Sequence, residues 1–220
     1  MPRQLVRLDA VLGQACFLGL GGPALASGPA GAGDTSAAVG RILGQIEASR
    51  AGCRPVDAAH PGRVLIEAEV AALRRASSLA ADTTFEVLDC DADGFVQRGG
   101  TVILSVRMTR LNPSQRFFIM AHELGHLQLQ HLAAVSGFVA RAVVESRDEN
   151  EARQQVLSGL SGLSHANEFG ADAFAVRLMR QAGHDPEQAA RLFDAIGDGR
   201  DNRTHPSATR RAQAIRSVAP

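Results

Sequence analysis

The 220-residue chain contains no tryptophan, no tyrosine and no lysine, and it has only three cysteines. The absence of tyrosine excludes one common donor of a hydrogen bond to a transition state. Because lysine is absent, all 23 basic residues are arginine, and they balance 23 acidic residues to a net charge of zero. The chain therefore has no basic excess of the kind that indicates nucleic acid as a partner.

The composition is that of an ordinary globular protein. Hydrophobic residues make up 45% of the chain and charged residues 21%, so a wholly disordered chain is not expected. The length suits one domain with its own hydrophobic core.

Residues 1–26 have the layout of a secretory signal peptide. Arg3 and Arg7 precede an apolar stretch, and Ala24-Leu25-Ala26 supplies a small-x-small cleavage pattern before Ser27. The apolar stretch is shorter than the roughly 20 residues that span a bilayer. We therefore expect cleavage and export to the periplasm of a bacterial envelope, and no transmembrane segment in the mature chain. A retained anchor and a buried N-terminal helix are the alternatives.

Cleavage would leave two cysteines, Cys53 and Cys90. In an oxidising compartment an even pair is compatible with one disulfide. Two unpaired cysteines are equally compatible with the sequence, because it does not give the distance between them.

The remaining chain alternates between helical and extended patterns. Residues 27–60 are predicted to form a leader with one helix, and residues 61–220 to form an α+β domain. Three short segments rich in Val, Ile, Phe and Thr (residues 84–88, 94–97 and 101–106) predict a small antiparallel sheet. Asn112-Pro113-Ser114-Gln115 then predicts the start of a helix that continues at least through His131.

That helix carries His122-Glu123-Leu124-Gly125-His126. Residues i and i+4 lie on the same face of a helix, so His122 and His126 can bind one zinc ion. Glu123 lies beside them, where it can take a proton from a zinc-bound water and pass it to a leaving amine. The pattern alone has a chance probability on the order of 1%, so an amphipathic helix with two buried histidines remains the alternative.

A third zinc ligand is needed, and Glu168 is the best candidate. Asp172 follows one helical turn later, where its carboxylate could accept the free N–H of a zinc-bound histidine. An extended motif with a third histidine is excluded, because position 132 is leucine. On an uninterrupted helix His131 would point about 140° away from the ligand face, so we expect a surface or packing role for it.

Further motifs surround these residues. Gly99-Gly100-Thr101-Val102-Ile103-Leu104 precedes the helix, and Glu168-Phe169-Gly170-Ala171-Asp172-Ala173 follows it. Thr204-His205-Pro206 comes next, with Arg211 six residues after His205. With them, residues 60–217 resemble the HtpX-like and CAAX-prenyl-protease-like zinc metallopeptidases, gluzincins whose third ligand is glutamate. The resemblance implies a zincin-like, mainly helical domain whose small sheet precedes the active-site helix.

The resemblance also implies roles for individual residues. It makes His122, His126 and Glu168 the ligands of one zinc ion per chain, Glu123 the general base and acid, and Asp172 a partner of a ligand. It places His205 and Arg211 in a C-terminal element near the site. In the absence of tyrosine, His205 is the candidate to hydrogen-bond a tetrahedral oxyanion. Capping of the zinc in a resting state and a purely structural helix start are its alternatives.

Two further expectations concern substrate access. Strand 101–106 is expected to be a free edge that pairs with an extended peptide. The polar segment 146–164 is expected to be a mobile lid or plug between the two zinc-binding helices.

The sequence thus predicts an exported zinc metalloendopeptidase for unfolded or misassembled envelope proteins, acting in protein quality control. Its partner would be a protein or peptide substrate, with possible peripheral association with the envelope. The alternative is a metal-containing, chaperone-like binding module with little or no turnover. Because a binding module does not need a proton shuttle, Glu123 favours the enzyme.

Overall fold

The computed structural model describes residues 32–48, 52–97, 99–197 and 199–218. The predicted signal peptide, residues 1–26, lies outside these ranges. The described α-helices are α1 Ala32–Ala48, α2 Pro61–Ala76, α3 Pro113–Gln128, α4 His131–Glu145, α5 Glu149–Gln181, α6 Glu187–Ile196 and α7 Ala208–Ser217, and the strands are β1 Arg54–Pro55, β2 Phe85–Asp89, β3 Gly94–Val96 and β4 Val102–Ser105. The α+β prediction is confirmed, with helices predominating.

The four strands form one sheet in the order β1-β2-β4-β3. β4 runs parallel to β2, while β1 pairs with β2 and β3 pairs with β4 in antiparallel fashion. The prediction of an antiparallel sheet is therefore wrong for the β2–β4 pair. β3 does not pair with β2. It folds back on β4 through a turn containing Gly99 and Gly100, whose φ angles of 99° and 90° favour glycine.

This strand order also contradicts the expectation of a free edge at residues 101–106. β4 is paired on both sides, with β2 through Val102–Ser105 and with β3 through Val102–Leu104. β1 and β3 are the outer strands of the described sheet.

α3 begins with a capping box and runs through the main hydrophobic core. The Asn112 side chain accepts a hydrogen bond from the Gln115 N–H, and the Gln115 side chain accepts one from the Asn112 N–H. Pro113 occupies the first turn, as predicted. Phe118, Ile119 and other apolar residues of α3 are buried against α2, α5, α6 and the sheet. The helix that bears the predicted chemistry is thus held in place on several sides.

α3 ends earlier than predicted. Its last residue is Gln128, and Gln130 adopts a left-handed conformation with φ 54° before α4 starts at His131. The prediction of one helix through His131 is therefore wrong. The axis of α4 is bent by 47° from that of α3, so a helical projection from α3 does not apply to His131.

α5 is a continuous helix of 33 residues. Its first part packs on α1 and α4 in a small second cluster that includes Ile42, Val139 and Val156. Most of the segment 146–164, expected to be a mobile lid or plug, therefore forms an ordinary packed helix from Glu149 onward. The second part of α5 crosses α3 and reaches the main core.

Cys53 and Cys90 form a disulfide that joins the segment before β1 to the end of β2. Of the two alternatives left open by the sequence, the structure contains the bonded pair.

No single described helix has both the length and the apolar composition needed to cross a membrane. α3 and α4, bent by 47° at their junction, meet these two criteria only when taken together.

Candidate metal centre

α3 brings His122, Glu123 and His126 to one face near the middle of the molecule. His122 and Glu123 are buried, with 1% and 5% of their surface exposed, and His126 is partly buried. The apolar residues of the preceding turns hold this part of α3 in the core. The imidazoles and the carboxylate are therefore fixed in a largely dehydrated environment.

α5 approaches α3 closely at Gly125, inside the histidine motif. A Cβ atom at Gly125 would lie 3.1 Å from Cδ1 of Phe174 and 3.2 Å from Cα of Ala171. A larger residue would push the two helices apart at this point. Gly125 thus allows the approach that brings Glu168 of α5 to the histidines.

Three predicted ligand side chains converge at this crossing. His122 Nε2 lies 2.9 Å from His126 Nε2 and 3.5 Å from Glu168 Oε2. His126 Nε2 lies 3.4 Å from Glu168 Oε1. One ligand atom from each residue lies within 4.8 Å of the others, so the three could hold a metal ion.

Asp172 and Arg211 lie behind His122. His122 Nδ1 is 2.9 Å from Asp172 Oδ1, and Arg211 Nε donates to Asp172 Oδ2 at 2.8 Å. Asp172 and Arg211 each have 1% of their surface exposed. Although burial alone would raise the pKa of Asp172, the Arg211 guanidinium and His122 lower it. An ionised Asp172 only accepts hydrogen bonds, so His122 donates from Nδ1 and keeps Nε2 for the centre.

The same charges set the protonation of the other groups. Burial would lower the pKa of His122, but the hydrogen bond to Asp172 and the nearby carboxylate of Glu168 raise it to about 9. Burial would raise the pKa of Glu168, but Arg211 and the two imidazoles hold it well below its usual range. Without a metal, the centre therefore retains a proton on His122 at neutral pH.

The donor set fits a divalent cation. Three buried carboxylates (Glu123, Glu168 and Asp172) face one buried guanidinium (Arg211). Their formal charges sum to two negative charges. Glu168 Oε2 lies 2.9 Å from Arg211 Nη1, but the two are not aligned for a hydrogen bond, and neither buried atom has such a partner among the described residues. An unsatisfied carboxylate oxygen beside two imidazole nitrogens is the environment that zinc prefers.

His131 contacts the second histidine ligand, contrary to the expectation of a surface or packing role. Its Nδ1 lies 2.8 Å from His126 Nδ1. The left-handed Gln130 bends the chain between α3 and α4, and the His131 ring lies against His126. Burial, together with the nearby His126, lowers the pKa of His131 to about 4, so its ring is neutral and can accept the Nδ1–H of His126. The two metal-facing histidines thus have unlike partners: a carboxylate for His122 and a neutral imidazole for His126.

Glu123 lies between the metal-facing histidines and β3. A Cβ atom at Gly94, the first residue of β3, would lie 3.2 Å from Glu123 Cγ. The absence of a side chain at Gly94 leaves room for this carboxylate. The outer strand beside Glu123 is therefore β3, whereas strand 101–106, expected to be a free edge, is paired on both sides.

His205 reaches the centre from the segment before α7. Its Nε2 lies 3.7 Å from Glu168 Oε1. Burial lowers the pKa of His205 to about 4, so the ring is neutral. His205 is not part of the three-residue metal-binding group. The structure thus brings every predicted site residue to one place, with Arg211 beneath the ligands and His205 beside Glu168.

Several contacts that shape the site cannot be read from the sequence. The contact of His131 with His126 depends on a helix break at Gln130, a residue type that does not predict one. Gly94 is one of 22 glycines in the chain, and nothing in the sequence distinguishes it from the others. Asn202 and Thr204, which contact His205, lie in a loop without periodic pattern. The Thr204-His205-Pro206 motif indicates that this loop matters, but it does not predict the hydrogen bonds that Thr204 makes.

The family model described as peptidase family M48 matches residues 63–219. This range contains α3, the part of α5 that faces it, and the segment with His205 and Arg211. No curated protein matches the chain.

Proposed function

The chain belongs to peptidase family M48, whose members are zinc metallopeptidases, and on that premise we propose that it is an exported endopeptidase of unfolded or misassembled envelope proteins. The observation that carries the proposal is the convergence of His122, His126 and Glu168 at the crossing of α3 and α5, with Glu123 beside them. The fold class and the family are those that the sequence predicts.

His122, His126 and Glu168 would hold the zinc ion. When bound, zinc lowers the pKa of a coordinated water and polarises a substrate carbonyl. Asp172 fixes the ring of His122, and His131 can do the same for His126. Arg211 keeps Asp172 ionised and neutralises part of the buried negative charge.

Glu123 would take the proton from the attacking water and deliver it to the leaving amine. Within the described residues no hydrogen bond or ion pair occupies its carboxylate. We propose that a substrate peptide reaches Glu123 from the side of β3, whose Gly94 lies against this side chain. A binding module would not need a carboxylate that transfers protons, so Glu123 favours an enzyme.

The disulfide supports export. Cysteine pairs persist in oxidising compartments such as the periplasm and are rare in the cytosol. Together with the signal-like residues 1–26, Cys53–Cys90 favours a periplasmic location. Expression of the full chain in a bacterial host, followed by fractionation and intact mass measurement, tests this. We expect a periplasmic product that begins at Ser27 with no free thiol, whereas a full-length membrane-bound product would support the anchor.

Casein digestion tests the enzymatic proposal. The mature chain from Ser27, loaded with zinc, should cleave casein, and a chelator should stop it. Glu123→Gln should abolish cleavage while retaining bound zinc, because the variant loses the proton acceptor and none of the ligands. Equal and chelator-insensitive behaviour of the two proteins would reject the peptidase and leave the binding module.

A further inference from the structure

The loop that carries His205 is held by side chains at both ends. Asp201 accepts a hydrogen bond from the Ser207 N–H at 2.8 Å and pairs with Arg210. His165 of α5 lies with its Nε2 2.7 Å from the Asn202 carbonyl oxygen, and Asn202 N–H donates to the His205 carbonyl at 3.0 Å. The position of His205 is therefore set by this framework.

Asn202 presents its side-chain oxygen to the inside of the loop. Oδ1 accepts the backbone N–H groups of Thr204 and His205 at 2.9 and 2.8 Å. A rotated amide would place its NH₂ group against these two donors, so the orientation of Asn202 is determined. Oδ1 can only accept.

The hydroxyl of Thr204 links this oxygen to the imidazole. Oγ1 lies 3.1 Å from Asn202 Oδ1 and 2.9 Å from His205 Nδ1. The Thr204 hydroxyl has one proton, which it can donate to Asn202 Oδ1. The contact with His205 is then a hydrogen bond only if His205 Nδ1–H donates to Thr204 Oγ1. The reverse arrangement would leave lone pairs of two oxygens facing each other at 3.1 Å.

We infer that Asn202 and Thr204 are positioning residues that hold His205 in the Nδ1–H form, with the lone pair of Nε2 facing the metal centre. In this form His205 can bind a cation or accept a hydrogen bond, but it has no proton on Nε2 to donate. The Nε2 lone pair and the ionised Glu168 carboxylate, 3.7 Å apart, are then both acceptors, an arrangement that a bound cation would stabilise. The sequence predicts that His205 could donate a hydrogen bond to an oxyanion. Donation from Nε2 would first require the hydrogen bonds that link Asn202, Thr204 and His205 to break.

This inference rests on the proposed metal centre but not on peptidase activity, and its readout is spectroscopic. Long-range ¹H–¹⁵N correlation spectra of the zinc-loaded mature chain distinguish a protonated from an unprotonated ring nitrogen. His205→Gln identifies the signals by their loss. In the wild type we expect Nδ1–H to exceed Nε2–H by roughly tenfold, as one added hydrogen bond provides.

Two variants of Thr204 test the role of the hydroxyl. Thr204→Val keeps the shape and removes the hydroxyl, so the Nε2–H form should increase. Thr204→Ser keeps the hydroxyl and should retain the wild-type spectrum. If Thr204→Val does not fold, Asn202→Ala should shift the ratio in the same direction and Asn202→Asp should not.

The outcomes are distinct from those of the casein assay. A dominant Nε2–H form in the wild type would overturn the inference, and so would identical spectra for Thr204→Val and Thr204→Ser. A protein without peptidase activity that shows the Nδ1–H form, lost only in Thr204→Val, would support this inference while the proposed function fails.

Discussion

The two parts of α5 belong to one continuous helix but lie in opposite environments. In the outer part, residues 149–163, charged groups are partly exposed, as in the Arg41–Glu149 pair at 2.7 Å with 51% and 27% of the side chains exposed. In the inner part, residues 164–181, Glu168 and Asp172 are buried and share Arg211.

The comparison shows that burial, and not membership of the same helix, determines whether a carboxylate is suited to bind a metal ion. An exposed ion pair contributes about 0–1 kcal/mol because water screens it. A buried carboxylate must be paired with a charge or bind a metal, since its desolvation is costly. The same residue type, glutamate, is thus an ordinary surface group at position 149 and a candidate metal ligand at position 168.

The largest expected effect separates these two glutamates. Glu168→Ala removes a ligand, so we expect zinc affinity to fall by more than the roughly 100-fold that loss of a ligand's hydrogen-bond partner can cost. Glu149→Ala on the same helix should leave affinity unchanged. Competition with a zinc-binding dye measures both. Full affinity in Glu168→Ala would show that the third ligand is assigned wrongly.

The next effect concerns the partner of His122. Asp172→Ala leaves the His122 ring without its acceptor, so we expect a loss of about 10–100-fold in zinc affinity. It also removes a charge partner from the buried Arg211, which should lower the free energy of unfolding by about 3–5 kcal/mol. Affinity by dye competition and stability by urea unfolding measure the two effects. His131→Ala is the comparison: its neutral ring predicts a smaller loss of affinity than Asp172→Ala, and the opposite ranking would contradict the account.

The buried part of α5 also predicts a pH dependence. With the pKa of His122 raised to about 9, a proton competes with zinc at neutral pH. Because zinc binds only the neutral ring, affinity should rise by about tenfold per pH unit and level off near pH 9. Titrations at several pH values, corrected for the dye's own protonation, measure this. An affinity that stays constant between about pH 6 and pH 8 would disagree with the raised pKa.

The smallest effects compare two glycines. Gly125→Ala forces a Cβ atom against α5 at 3.1–3.3 Å, so we expect destabilisation by about 1–3 kcal/mol together with weaker zinc binding. Gly162→Ala lies in the outer part of α5 with nothing within 4 Å of its Cβ position. There the change should stabilise by up to about 1 kcal/mol. Urea unfolding gives both values, and equal effects would mean that the close helix crossing is not needed.

The sequence predicts much of the candidate metal centre because the patterns that indicate it are local in the chain. The capping box at Asn112, the i, i+4 spacing of His122 and His126, and the same spacing of Glu168 and Asp172 depend on helical geometry alone. The structure confirms the capping box, and the crossing of α3 and α5 brings the histidine pair to Glu168 and Asp172.

The remainder depends on contacts between distant segments. The order β1-β2-β4-β3 follows from how β3 folds back on β4, which no alternation of residues shows. The helix break after Gln128 contains no glycine or proline, so the sequence does not predict it. This break determines where His131 lies. The outer part of α5 is rich in serine and glycine, which lower helix propensity, so packing on α1 and α4 stabilises it instead.

Metal content is the measurement that tests the central claim most directly. Elemental mass spectrometry of the purified mature chain should find about one zinc per chain in the wild type and in Glu123→Gln, and close to none in His126→Ala. This pattern would establish that the histidines bind zinc and that Glu123 does not. A wild type without zinc after reconstitution, or a His126→Ala variant that keeps it, would contradict the metal centre and the function proposed from it.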